Sequence, residues 1–221
     1  MKFVQPAVLG LALCLGAIPG CANVISLTGS LNPTDSGDVF LFQFTASNHA
    51  TVLVQSYGFG GSADAPGGTN AAGQIIPSGG FDTYLSLFSG IGPSATFLSS
   101  NDDGICPPAA PDSGYCLDSR LVALSLPGGD YTLALTVSGN MSFAENQPTL
   151  YTLGDGFIGL QQPDYYDPWT GTYRTSNWAL DLQSAEGTIT PIAPAPEPAG
   201  YVLASAGMLF ILADRFLKRR R

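Results

Sequence analysis

Short apolar runs of period two, dense turn punctuation and sparse charge predict a mostly β chain. The expected architecture is a single β-sandwich or jelly-roll-like domain, with an N-terminal signal peptide and a C-terminal transmembrane helix. Three observations lead there. In residues 38–45, Phe40, Phe42 and Phe44 fall on one face and Val39, Leu41 and Gln43 on the other. In residues 131–137, Tyr131, Leu133, Leu135 and Val137 share a face while Thr132, Ala134 and Thr136 point away, which is the strand period rather than 3.6. The chain holds 27 Gly and 17 Pro but only 11% charged residues, so turns are frequent and long solvated helices are not expected. No internal repeat is present, which argues against a solenoid or propeller.

The N-terminus reads as a leader. Met1-Lys2 is a minimal basic start, residues 8–18 are an apolar stretch, and Pro19-Gly20 breaks it. The small residues Gly20-Cys21-Ala22 place signal-peptidase cleavage after Ala22, giving a leader of 1–22. Ile18-Pro19-Gly20-Cys21 also reads loosely as a lipobox with Cys21 lipidated, although Pro19 fits that pattern poorly.

The body spans 23–190, one domain's worth of chain. Strands are expected at 38–45, 50–57, 83–88, 95–99, 121–126 and 131–137, with a closing strand at 178–182. Pro127-Gly128-Gly129-Asp130 is a strong turn signal between two of them. Residues 58–80, rich in Gly, Ala, Ser and Asn, read as a long surface loop. Residues 141–176 carry Tyr151, Phe157, Tyr165, Tyr166, Trp169 and Tyr173. A structureless loop of that length would be unusual, so a partly ordered excursion laying its aromatics on the sandwich is expected.

Charge is distributed unevenly. Six of the eight Lys and Arg are Lys2, Arg215, Lys218, Arg219, Arg220 and Arg221, so the body keeps Arg120 and Arg174 alone. Without Glu197 and Asp214 it keeps 15 of the 17 acids, a net charge near −13 against −9 for the whole chain. Such a surface repels nucleic acid, whose binding depends on neutralising phosphates. It suits a secreted protein that associates with cations.

After the body comes a Pro-rich linker, 191–198, in which Pro194, Pro196 and Pro198 disfavour helix. Residues 199–217 are apolar or small apart from Asp214-Arg215. As a helix they would extend about 28 Å, near the thickness of a bilayer core. The basic residues 218–221 would stay cytoplasmic.

Pro196-Glu197-Pro198, the apolar run and Arg219-Arg220-Arg221, in that order and at the terminus, resemble the PEP-CTERM sorting signal of Gram-negative bacteria. The resemblance implies an exosortase, a membrane transpeptidase-like enzyme acting at that motif. It also implies an associated system making extracellular polysaccharide. The charged pair Asp214-Arg215 departs from the pattern and shortens the apolar run.

The body resembles a bacterial pre-peptidase C-terminal-type β-sandwich over residues 38–182. The matching segments are Gly79-Gly80-Phe81-Asp82-Thr83-Tyr84-Leu85, Ser100-Asn101-Asp102-Asp103-Gly104 and Leu126-Pro127-Gly128-Gly129-Asp130-Tyr131. Flanking segments at 67–73 and 174–180 are similar to a subgroup found with such tails. This resemblance implies a non-catalytic, jelly-roll-like accessory domain.

Four groups of residues carry possible chemistry. With Cys14 and Cys21 in the leader, Cys106 and Cys116 remain as an even pair. In an oxidising compartment such a pair forms a disulfide, worth about 2.7 kcal/mol by loop entropy for this 11-residue segment. Asp82, Asn101, Asp102, Asp103 and Asp118 are hard oxygen donors suited to Ca2+; as short Asp and Asn side chains they serve equally as turn formers. Tyr165, Tyr166 and Trp169, beside Asp164 and Asp167, have rings that can stack on a sugar or anchor the excursion to the core. His49 is the single histidine and sits in the polar turn Ser47-Asn48-His49-Ala50. It offers little support to a Ser-His-Asp hydrolase and excludes a His-rich zinc site. Asp102-Asp103 are adjacent on one loop, which does not establish the opposed carboxyls of a glycosidase.

The expectation is therefore a non-enzymatic exported protein. It begins as an inner-membrane-anchored precursor and passes to the cell envelope or extracellular matrix. The alternative is a carbohydrate-binding module, calcium-assisted, with extracellular polysaccharide as partner. A hydrolase is third.

Overall fold

Alternating apolar side chains form strands here because one side of each can be buried against a second layer. In the computed structural model this gives two antiparallel sheets. Residues 23–32, 34–59, 66–104, 117–160, 165–167 and 171–192 are described. The leader 1–22, Cys106 and Cys116, Asp164, Trp169 and the tail from 193, with Pro196, Glu197, Pro198 and the apolar and basic segments, lie outside the described residues. No helix among the described residues is long and apolar enough to cross a membrane. Contacts divide the chain between Pro191 and Ile192.

In chain order the strands are β1 (Asn23–Ser30), β2 (Phe40–Ala46), β3 (Ala50–Tyr57), β4 (Pro66–Thr69), β5 (Ile75–Pro77), β6 (Thr83–Ser89) and β7 (Thr96–Asn101). They continue as β8 (Arg120–Leu126), β9 (Gly129–Val137), β10 (Tyr166–Asp167), β11 (Thr172–Tyr173), β12 (Asn177–Glu186) and β13 (Ile189–Pro191). A short helix α1 (Phe143–Asn146) and a 3-10 turn (Leu153–Asp155) follow β9. The first sheet has the order β1-β12-β3-β8 and the second β13-β2-β9-β6-β7; β4-β5 and β10-β11 are separate two-stranded pairs.

The inner faces meet in one core. Ile25, Leu27, Val52, Val54, Leu121, Leu180 and Leu182 come from the first sheet, and Phe42, Phe44, Leu85, Leu87, Leu133 and Leu135 from the second. Phe40 packs on this core, its ring 4.3 Å from that of Trp178. The faces expected for 38–45 and 131–137 are the faces observed. The outer side of the second sheet is buried too. Leu41, Phe88, Ala134 and Phe97 lie under Leu153, Tyr151 and Phe157 of the excursion, so these two aromatics anchor it, whereas Tyr166 and Tyr173 are exposed. Ser142 caps α1 by accepting the Ala144 N–H at 3.1 Å.

Two expectations need correction, and the expected turn at 127–130 is present with a consequence for topology. Residues 178–182 were read as a closing strand, yet β12 is longer and lies inside its sheet, between β1 and β3. The loop expected at 58–80 contains the β4-β5 pair and is partly interior, with Phe59 and Asn70 buried. The turn at 127–130 joins strands of different sheets, since β8 pairs with β3 whereas β9 pairs with β2 and β6. The chain changes sheet at 47–49 and 187–188 as well. These three crossings are tied together: Asn48 Oδ1 accepts the Gly128 N–H (3.3 Å), and Ser47 Oγ accepts the Thr188 N–H (2.9 Å).

Two buried charged groups fasten the periphery. Asp181, on the outer side of β12, accepts from Ser26 Oγ (2.6 Å), Tyr57 Oη (2.7 Å) and the Ala71 N–H (2.6 Å). It thereby clamps the β4-β5 pair onto the first sheet, and burial with this bond holds the Tyr57 hydroxyl well above its usual pKa. Arg174 sits 3.9 Å over the Phe59 ring and pairs with Asp167 at 3.5 Å, both side chains buried.

Candidate metal centre

Asp82 immediately precedes β6 and Asp102-Asp103 immediately follow β7. The antiparallel register, Leu85 opposite Asn101, brings these strand ends together. One carboxylate oxygen from each of Asp82, Asp102 and Asp103 lies within 4.8 Å of the others. Oxygens bound to one Ca2+ at 2.3–2.6 Å are separated by no more than about 5 Å, so the three can share an ion. Backbone bonds hold the frame: the Ser138 N–H donates to the Asp82 carbonyl at 2.9 Å, and Ser138 Oγ donates to Asp102 Oδ2 at 3.2 Å. The Ser119 hydroxyl lies against the carbonyl oxygens of Thr83 and Asp102.

The electrostatics favour a cation. Asp82 is half-buried, and its Oδ1 has no hydrogen-bond partner among the described residues. Burial, then the charges of Asp102, Asp103, Asp167 and Asp118, push its pKa up to about 8. Burial also raises Asp102, with Asp103 and Glu145 adding to the rise and the Ser138 bond opposing it; burial alone raises Asp103. A divalent ion would relieve both the lost hydration and the mutual repulsion.

The other two candidate ligands have separate duties. Asn101 Oδ1 accepts the Arg120 N–H at 3.1 Å. Asp118 is fully buried, with Oδ1 3.3 Å from both Ser56 Oγ and the Phe59 nitrogen, where it ties β3 to the segment entering β8. Glu145 is the neighbour that sequence reasoning missed. It accepts from Tyr84 Oη and Ser100 Oγ at 2.6 Å each, while its Oε2 is buried and lacks a partner among the described residues. Asp167, which pairs with Arg174, also adds its charge to the field at Asp82. No local signal joins either residue to the 101–103 loop.

Tyr165 is buried, its ring 5.2 Å from Phe81 and its hydroxyl donating to the Asn32 carbonyl at 2.8 Å, so it offers no open face to a sugar. Tyr166 is exposed and meets Tyr173 edge-on at 5.3 Å. His49 adopts φ 61° and its Nδ1 lies 3.1 Å from Ser125 Oγ. The strand registers put this pair at the sheet-crossing end of the sandwich, away from the acidic cluster.

No family model matches the chain, and no curated protein matches it either. The assignment therefore rests on the geometry and the sequence pattern.

Proposed function

We propose that this is an exported, non-enzymatic β-sandwich protein of the cell envelope or extracellular matrix, sorted by its C-terminal segment. The observation that carries this reading is the order of segments in the C-terminal sequence: Pro196-Glu197-Pro198, the apolar run 199–217 and the basic residues 218–221, in a chain whose first 22 residues read as a leader. Signal peptidase removes 1–22 and the tail halts in the inner membrane. An exosortase-type enzyme then acts near Pro196-Glu197-Pro198 and passes the body outward. The test is to follow a tag placed within the body in cells with and without that enzyme. A processed surface form lacking Arg221 is expected with it, and an intact inner-membrane form without it. The same mass and location in both strains would refute the sorting reading.

A second reading concerns the body itself and is favoured by the convergence of Asp82, Asp102 and Asp103. On this reading, Ca2+ bound there stabilises the exported sandwich. Thermal melts in chelator and in millimolar calcium should differ, and Asp102→Ala should abolish the difference. Coincident melts of the unaltered protein would leave these residues as turn formers.

A further inference from the structure

The outer strand of a sheet carries backbone groups that are unpaired unless something guards them, and the two main sheets have four such edges. At β7 the guard is α1, whose Glu145 accepts from Ser100 Oγ. β13 is three residues long and ends in Pro191, which has no N–H. β1 turns Val24, Ser26, Thr28 and Ser30 away from the core, and three of these are polar. β8 is different. It has β3 on one side and no strand on the other among the described residues. The side chains it turns away from the core are Val122, 50% exposed, and Leu124, 73% exposed. No Pro, Gly or Lys interrupts it, and Arg120 at its start is its only charge.

The register shows which backbone groups point to the open side. The Ser56 N–H donates to the Ser119 carbonyl at 2.9 Å, and the same ladder continues through Val54 opposite Leu121 and Val52 opposite Ala123. Antiparallel strands bond at alternate residues, so Leu121 and Ala123 spend their N–H and C=O groups on β3. The N–H and C=O of Val122 and the N–H of Leu124 then face outward. Arg120 obeys the same alternation, since its N–H turns away from β3 and donates to Asn101 Oδ1.

This strand is its own complement about Ala123. Antiparallel pairing of two β8 strands around a two-fold axis at that residue sets Val122 of each copy opposite Leu124 of the other. Each Leu124 N–H then meets the Val122 carbonyl of the second copy. The four exposed apolar side chains come together on one face, as cross-strand pairs do. Charge points to the same occupant. The acidic body repels a second copy over most of its surface. β8 and the β3 strand beside it contain no Asp or Glu, and the two-fold axis keeps the two Arg120 at opposite ends of the joint. Pairing of this isologous kind uses up both β8 edges, so assembly stops at two.

We propose that two copies of this chain pair through β8, joining their four-stranded first sheets into one continuous sheet. The joint is a single ladder, smaller than the roughly 800 Å2 per partner of stable complexes, so the dimer is weak. The proposal goes beyond the sorting reading and does not rest on it, because the edge belongs to the body whether or not the tail is processed.

The test is sedimentation and amide hydrogen exchange of the full chain in detergent, with micelles in excess over protein, from about 10 μM to about 1 mM. The mass should shift from monomer toward dimer over that range. Exchange at the Val122 and Leu124 amides should slow by about twofold or more, twofold being the effect of pairing half the chains. The Leu121 and Ala123 amides, already bonded to β3, should not change. Leu124→Lys alters a side chain that is open to solvent and puts two ammonium groups into the joint, as lysines guard natural edges. It should abolish both the mass shift and the slowing. A chain that stays monomeric at about 1 mM overturns the proposal and leaves the edge to a different partner or to none. Val122 and Leu124 amides equally protected at every concentration overturn it too, because the edge would then be covered within the chain. So does a dimer that persists in Leu124→Lys, or one that leaves these two amides unslowed, since either places the association elsewhere.

Discussion

Replacing Asp82 with asparagine isolates the electrostatic load at the acidic end of the sandwich. The carboxyl has an ordinary value of 3.8 and is pushed to about 8 in the folded chain, so the folded state holds a proton that the unfolded state releases. The contribution is therefore fully present below pH 3.8 and is lost as pH rises to about 8; above that the group adds no further slope. At about 1.36 kcal/mol per unit, the loss between pH 5 and pH 9 is roughly 4 kcal/mol. For a domain of this size that corresponds to a fall of roughly 8–16 °C in Tm. Asparagine keeps the shape and cannot ionise. In chelator, Asp82→Asn should match the unaltered protein near pH 4 and be the more stable of the two by roughly 4 kcal/mol more at pH 9 than at pH 5. Calcium should narrow this gap at pH 9. Binding at one hundred times Kd adds about 2.7 kcal/mol to the protein that retains the ligand, and about 4.1 kcal/mol at one thousand times Kd, enough to cancel the gap. The assay is thermal or urea unfolding of both proteins at pH 5, 7 and 9, in chelator and in calcium. A stability difference that does not change with pH in chelator would refute the argument, because it would mean that Asp82 ionises as readily in the folded chain as in the unfolded one.

Asp181→Ala should cost about 3 kcal/mol in urea unfolding, because the hydroxyls of Ser26 and Tyr57 and the Ala71 N–H all lose their acceptor; a loss under about 1 kcal/mol would show that water replaces the carboxylate. The same variant should raise hydrogen exchange in the β4-β5 pair ahead of the rest of the first sheet, as expected for a segment released from a clamp. Thiol labelling of the denatured, unreduced body should give essentially no signal, since Cys106 and Cys116 are expected as a disulfide; stoichiometric labelling at both would exclude it.

Side-chain periodicity made the core legible. Phe42 and Phe44 on β2, and Tyr131, Leu133 and Leu135 on β9, fall where alternation puts them, because each face answers to a single packing partner. Sheet membership was not legible. The turn at 127–130 is evident, but a turn fixes a change of direction and not which layer receives the next strand. β12 reads locally like any half-buried strand, and its interior place depends on β1 and β3, far away in the chain. The β4-β5 pair escaped because its pairing is made by the backbone of a Gly-rich stretch that has no alternating pattern. For the acidic cluster, the residues beside a hairpin were readable: Asp82 and Asp102-Asp103 flank β6 and β7. Glu145 was not, because it arrives from α1 through bonds to Tyr84 and Ser100. Asp118 was recognisable as an acid, yet only its burial shows that it serves the frame.

The pairing of β1 sets an order of events. This strand is made first and lies at the margin of its sheet, where β12 is its sole neighbour. Ser26 must wait for Asp181, 155 residues later, before its hydroxyl finds its acceptor. Until β12 has been synthesised, the first sheet cannot be completed. Topologies dominated by such distant pairings fold slowly. Most of the second sheet, by contrast, is available once β9 has been made. The β1-β12 ladder is thus a late closure that ties the start of the body to its end, with only the short β13 still to pair with β2.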